Sequence, residues 1–122
     1  MTEALVYEIL SVVAEIPVGQ VASYRQIARL IGREKNARLV GNVLRHAEYY
    51  GDYPCHRVVN HAGRLAPGWP EQAALLAREQ VPFLPNGNVD MKRAQWHCDQ
   101  AAYRQKLGQY TAVCNIFISS LC

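Results

Sequence analysis

The sequence predicts an α+β domain, a helix-turn-helix or winged-helix core that carries a small β element. Three observations predict it. Two short amphipathic helical patterns meet at a turn containing Gly32, and an apolar pair, Val58-Val59, stands between turn-forming residues. A chain of 122 residues, half of them hydrophobic, can also bury one core but not two.

The elements follow in order. Leu5, Ile9, Val12 and Val13 recur at helical spacing over residues 3 to 15, and Ile16-Pro17-Val18-Gly19 stops that helix. Ser23-Tyr24-Arg25-Gln26 has the spacing of a capping box, so a helix opens there and closes at Gly32. A second short helix is expected from Asn36 to His46, with Leu39, Val40, Val43 and Leu44 turned inward. Val58-Val59 reads as a short buried strand, and Asn60-His61-Ala62-Gly63 as a turn. Pro70 at the first helical position opens a helix that runs past Leu75 and Leu76 to Glu79. Val81 to Leu84 and Asn88 to Met91 flank Pro85-Asn86-Gly87 as a hairpin. Residues 1–96 are expected to form the domain, with 97–122 an extension that includes a helix near Gln100 to Leu107.

Composition narrows the function classes. The apolar run from Val113 to Leu121 is too short to span a bilayer, and MTEALVYEIL has no basic leader before an apolar core. A cytoplasmic protein without membrane contact is expected. Cys55, Cys98, Cys114 and Cys122 form no C-x-x-C pair and no zinc spacing. No metal and no organic cofactor are expected. The net charge of +3 is uneven: residues 20–64 hold eight basic side chains against three acidic ones. A polyanion would prefer that half of the chain.

Only Cys55 has a proline before it and a histidine after it, in Tyr53-Pro54-Cys55-His56-Arg57-Val58-Val59-Asn60. From these residues alone Cys55 is either a nucleophile or a small residue packed at the start of a strand. Adjacent side chains on a strand point to opposite faces, which argues against direct contact between Cys55 and His56 and is consistent with a relay or a non-regular backbone here.

Three segments together are more specific. Ile16-Pro17-x-Gly19-x-Val21-x-Ser23-Tyr24-x-x-Ile27-Ala28, Ala37-Arg38-x-Val40-Gly41 and Pro54-Cys55-His56-Arg57-Val58-Val59-Asn60 resemble, in order and spacing, the C-terminal domain of O6-alkylguanine-DNA alkyltransferases and the single-domain alkyltransferase-like proteins. The resemblance covers residues 3 to 96 and is nearer the short branch. That branch commonly carries tryptophan or alanine where this chain has Cys55.

The resemblance implies roles. Cys55 would attack the alkyl carbon, which suits a soft thiolate. His56 would take the thiol proton through a water, and Glu79 would orient the imidazole. Tyr24 would crowd the target phosphate and donate a hydrogen bond to the departing guanine. Arg38 would enter the base stack from the minor groove as the target base rotates out. Gly41 would let the helix approach the groove, and Ser23, Asn42 and Arg45 would complete the DNA contacts. Pro54, Val58 and Trp69 would line the pocket, although Trp69 can instead cap the next helix against the core, and that placement is the favoured one.

Two departures bear on the chemistry. Ala47 stands where a pocket asparagine is expected, and the short loop Arg64-Leu65-Ala66-Pro67-Gly68-Trp69 lacks the serine whose amide would meet guanine O6. The implied function is irreversible alkyl transfer to Cys55 by a monomer acting on duplex DNA that contains O6-alkylguanine. The alternative is a damage sensor that binds the lesion without chemistry and hands it to nucleotide excision repair proteins. A third class, a winged-helix transcription factor, would read base sequence in the major groove instead.

Overall fold

The computed structural model describes residues 2–97. Three helices form its first half: α1, Glu3–Ala14, α2, Tyr24–Leu30, and α3, Ala37–Arg45. Thr2 caps α1 by accepting the Leu5 amide at 3.2 Å. The capping box of α2 forms as expected, with the Gln26 amide on Ser23 Oγ at 3.0 Å and the Ser23 amide on Gln26 Oε1 at 3.4 Å. Asn36 is the N-cap residue of α3, without a side-chain cap bond.

The β element is minimal. Strand β1, Ala22–Ser23, pairs in parallel with β2, Val58–Val59, in the register Ala22 with Val58 and Ser23 with Val59. Val21 also pairs with Gln95: its amide reaches the Ala94 carbonyl at 2.9 Å, and its carbonyl accepts the Trp96 amide at 2.7 Å. Because successive residues face opposite sides of a strand, this small sheet divides two apolar clusters. Ala22 and Val58 join α1, α2, α3 and Trp96 on one side; Val21 and Val59 join Leu76, Val81 and Val89 on the other.

The second cluster rests on α4, Glu71–Arg78, and the short α5, Met91–Ala94. Pro70 is the N-cap of α4 rather than its first helical residue, a one-position difference. The expected hairpin contracts to one antiparallel bridge, Phe83 with Val89, because Met91 starts α5 and ends any strand there. Val40 and Val43 are buried as expected on α3, whereas Leu39 and Leu44 are half-buried. No helix among the described residues is long and apolar enough to cross a membrane. The expected helix near Gln100 to Leu107 lies outside the described residues.

Candidate active site

Cys55–Arg57 is a 3-10 turn, not the beginning of a strand. The Arg57 amide bonds the Pro54 carbonyl at 3.1 Å, and the Val58 amide closes on the Cys55 carbonyl as β2 begins. Three residues per turn fan consecutive side chains roughly 120° apart. Cys55 packs partly buried against the helical cluster, while His56 and Arg57 both turn to Glu79. The backbone here is thus the non-regular alternative to a strand, and the Cys55 and His56 side chains still diverge.

Glu79 is fixed by the way α4 stops. Gln80 takes φ +62°, the Gln80 amide bonds the Ala77 carbonyl at 3.0 Å, and the Val81 amide bonds the Leu76 carbonyl at 3.1 Å. That is a Schellman stop with glutamine in the left-handed position glycine usually takes, and Val81 and Leu76 share the second cluster. From this C-cap position Glu79 Oε2 meets His56 Nε2 at 2.8 Å. Arg57 grips the same carboxylate twice, Nε on Oε1 at 2.9 Å and Nη2 on Oε2 at 2.8 Å, and donates Nη1 to the Ile16 carbonyl at 2.9 Å. All three side chains are about 15% exposed or less. The Arg57 bonds, followed by the His56 contact, hold the Glu79 carboxyl down at about 2 despite its burial.

Cys55 meets different surroundings. Burial pushes its thiol up to about 11; Asp52 and Glu48 add to the rise, and a hydrogen bond from its own backbone opposes it. At neutral pH the sulfur is a thiol. Tyr24 is close enough to feel Cys55: burial first, then the charge of Cys55, raises its phenol, with Arg45 opposing. The phenol thus stays protonated and remains a donor. A Cβ built on Gly41 would meet Tyr24 Cε1 at 4.0 Å, so Gly41 borders that ring.

Arg38, Asn42 and Arg45 are exposed on α3. At ~100° per residue they fall within about 60° of one another, forming one polar face with Gly41 at its Tyr24 edge. Ser23 differs: it is 6% exposed, and its hydroxyl accepts the Gln26 amide as the cap of α2. Trp69 is half-buried and belongs to neither apolar cluster, correcting the expected core placement; its carbonyl accepts the Gln72 amide at 3.2 Å. Pro54 is half-buried and Val58 fully buried. Ala47 is buried at 4% and offers no side-chain polar group.

Two positions escaped the sequence reading. Arg57 was noticed only as part of the motif, although it organises the Glu79 hub. Gln72 is fully buried: its Nε2 donates to the His56 and Val58 carbonyls, each at 3.1 Å, and its Oε1 accepts the Ala66 amide at 2.7 Å. It ties the short loop to the 3-10 turn. Its signal was a polar residue four positions before Leu76, on the apolar face of α4. Among the described residues no cluster of three or more His, Cys, Asp or Glu side chains is arranged to hold a metal.

Residues 4–81 match the family described as the DNA-binding domain of 6-O-methylguanine DNA methyltransferase. The chain belongs to this family. It is 36% identical over 89 residues to the DNA base-flipping protein of Escherichia coli K12, covering 70% of this chain and 69% of that one. It is 34% identical over 85 residues to the methylated-DNA–protein-cysteine methyltransferase of Rattus norvegicus, of which only 39% is covered. In structure it resembles Schizosaccharomyces pombe Atl1, solved with damaged DNA containing O6-carboxymethylguanine. The TM-score there is 0.71 at 27% identity, covering 80% of this chain and 99% of that one.

Membership in the methyltransferase DNA-binding family accounts for the shared α+β architecture. It spans reactive and base-flipping relatives alike, so the chemistry of this chain depends on its own residues around Cys55.

Proposed function

We propose that this protein binds duplex DNA through the polar face of α3, draws an O6-alkylguanine into the pocket beside Cys55 and accepts the alkyl group on that sulfur. The observation that carries the reading is the His56–Glu79 contact at 2.8 Å, braced by Arg57. A carboxylate held ionised orients the imidazole through Nε2, so Nδ1 is the nitrogen through which His56 would take the thiol proton, by way of a water. A sulfur–carbon bond forms, the carbon–O6 bond breaks, and the departing guanine anion regains a proton while Tyr24 donates a hydrogen bond to it. Arg38 would fill the space the base leaves in the stack. The raised thiol fits a group deprotonated only as the substrate arrives.

A second reading is favoured by the same sulfur. A thiol lifted to about 11, with Asp52 and Glu48 opposing its ionisation, also suits a pocket that holds the lesion without reacting. Nucleotide excision repair proteins would then act on the marked site. Incubation with a duplex containing one O6-methylguanine, followed by intact mass and peptide mapping, separates the two. One added methyl group on Cys55 is expected; an unmodified Cys55 on demonstrably bound duplex leaves the sensor.

A further inference from the structure

Between the 3-10 turn Ala47–Tyr49 and the Cys55–Arg57 turn runs a short coil with an acid at each end, Glu48 and Asp52. That coil is folded back on itself. Pro54 has φ -78° and ψ 60°, and the Cys55 amide donates to the Tyr53 carbonyl at 2.8 Å. This is an inverse γ-turn, which returns the chain before Pro54 to the side of Cys55. Gly51 takes φ +142°, and a Cβ there would come within 3.3 Å of the Tyr53 ring, which itself packs on the first apolar cluster. Asp52 is held between these two fixed points. Asp52 and Glu48 are both exposed, and both carboxylates oppose ionisation of the Cys55 thiol. The neighbouring cations are engaged elsewhere: His56 and Arg57 meet Glu79, and Arg45 acts on Tyr24.

These two charges act where the ligand varies. In-line attack sets the alkyl carbon against the Cys55 sulfur, so any further atoms of the alkyl group spread sideways from that point into its surroundings. The same holds when the lesion is bound there without reacting. We propose that Asp52 and Glu48 make this pocket select its lesion by charge: it accepts O6 adducts whose alkyl group is neutral or cationic and disfavours those that end in a carboxylate. Repulsion of a ligand that otherwise fits gives specificity without any change in pocket shape. Because both acids are exposed, solvent screens them, so the discrimination is several-fold and shrinks as salt rises.

This selection rests on the lesion-binding reading, and the experiment keeps the two apart. Cys55→Ala protein, in which no transfer disturbs the equilibrium, is titrated with plain duplex and with duplexes carrying O6-carboxymethylguanine, O6-carbamoylmethylguanine or O6-(2-aminoethyl)guanine. The first two adducts share one shape and differ by one charge. Carbamoylmethyl is expected to bind about fivefold tighter than carboxymethyl, and adding Asp52→Asn and Glu48→Gln should bring that ratio within about twofold. The aminoethyl adduct should lose affinity relative to carbamoylmethyl in the same variant. Ratios between adducts cancel the general gain in DNA affinity from removing two acids, and a purely structural role would weaken all three adducts alike. A ratio unchanged in the variant overturns the selection, as does carboxymethyl bound as tightly as carbamoylmethyl before the acids are removed. No preference for any adduct over plain duplex overturns the lesion-binding reading instead, and the selection with it.

Discussion

Arg57 grips Glu79 with two nitrogens of one guanidinium, at 2.9 and 2.8 Å, while a third nitrogen holds the Ile16 carbonyl at 2.9 Å. The end of α1, the 3-10 turn and the end of α4 are thereby locked through one carboxylate. Such a half-buried hub costs more to break than to build, because removing one partner strands the other charge.

The hub makes acid stability depend on Glu79. Its carboxyl falls from 4.5 to about 2 on folding, so the stabilisation is complete above pH 4.5 and drains away as pH drops toward 2. At ~1.4 kcal/mol per unit it amounts to up to about 3 kcal/mol. Urea melts across that range should show the slope in the parent and a flatter one in Glu79→Gln, which is also less stable at neutral pH. An equal slope in both would assign acid sensitivity elsewhere.

The Cys55 thiol should be sluggish toward small alkylating reagents at neutral pH. Its ionisation is pushed from 9.0 to about 11, so the rate with iodoacetamide should keep rising past pH 9. Asp52→Asn should move the profile to lower pH. A plateau below pH 9 in the parent protein would contradict the buried, acid-flanked setting. The same shift means the neutral thiol favours the fold up to about pH 9, and that contribution is lost as pH climbs toward 11.

Gln72→Leu keeps the side-chain bulk but leaves the Ala66 amide and the His56 and Val58 carbonyls without this partner. A loss of about 1–3 kcal/mol in chemical denaturation is expected. Faster amide exchange should be concentrated in residues 64–69. A variant as stable as the parent would show that water replaces the amide there.

Gly41→Ala separates folding from binding. The added methyl meets Tyr24 at an ordinary 4.0 Å, and alanine in a helix interior gains up to about 1 kcal/mol over glycine. Stability should hold or rise while affinity for duplex DNA falls, because the methyl intervenes where the backbone approaches the groove. Unchanged affinity would remove Gly41 from the contact surface.

The helices were legible because their signals are local. Ser23 and Gln26 announce the α2 cap, and the stripes of α1 and α3 follow helical spacing over enough residues to stand out. The Cys55–Arg57 turn was legible only as a non-regular alternative to a strand, since three residues have no periodicity and Val58-Val59 suggested extending the strand backwards. The roles of Arg57 and Gln72 depend on partners 22 and 14–16 residues away, which no local pattern encodes. Trp69 misled because a large aromatic before a helix usually packs inward. The short loop, tied at Ala66, leaves it half outside.

The pairing of Val21 with residues 94–96 has a practical corollary for anyone trimming this protein. A fragment cut at residue 81, where the family match stops, would forfeit Val89, Ala94 and Trp96, buried members of the two apolar clusters. It would also bare the Val21 amide and carbonyl and leave Gln26 Nε2 without the Trp96 carbonyl it meets at 2.6 Å. Unpaired strand edges recruit other chains. Such a fragment is expected to aggregate, whereas one retaining Trp96 keeps its sheet edge closed and its core plugged.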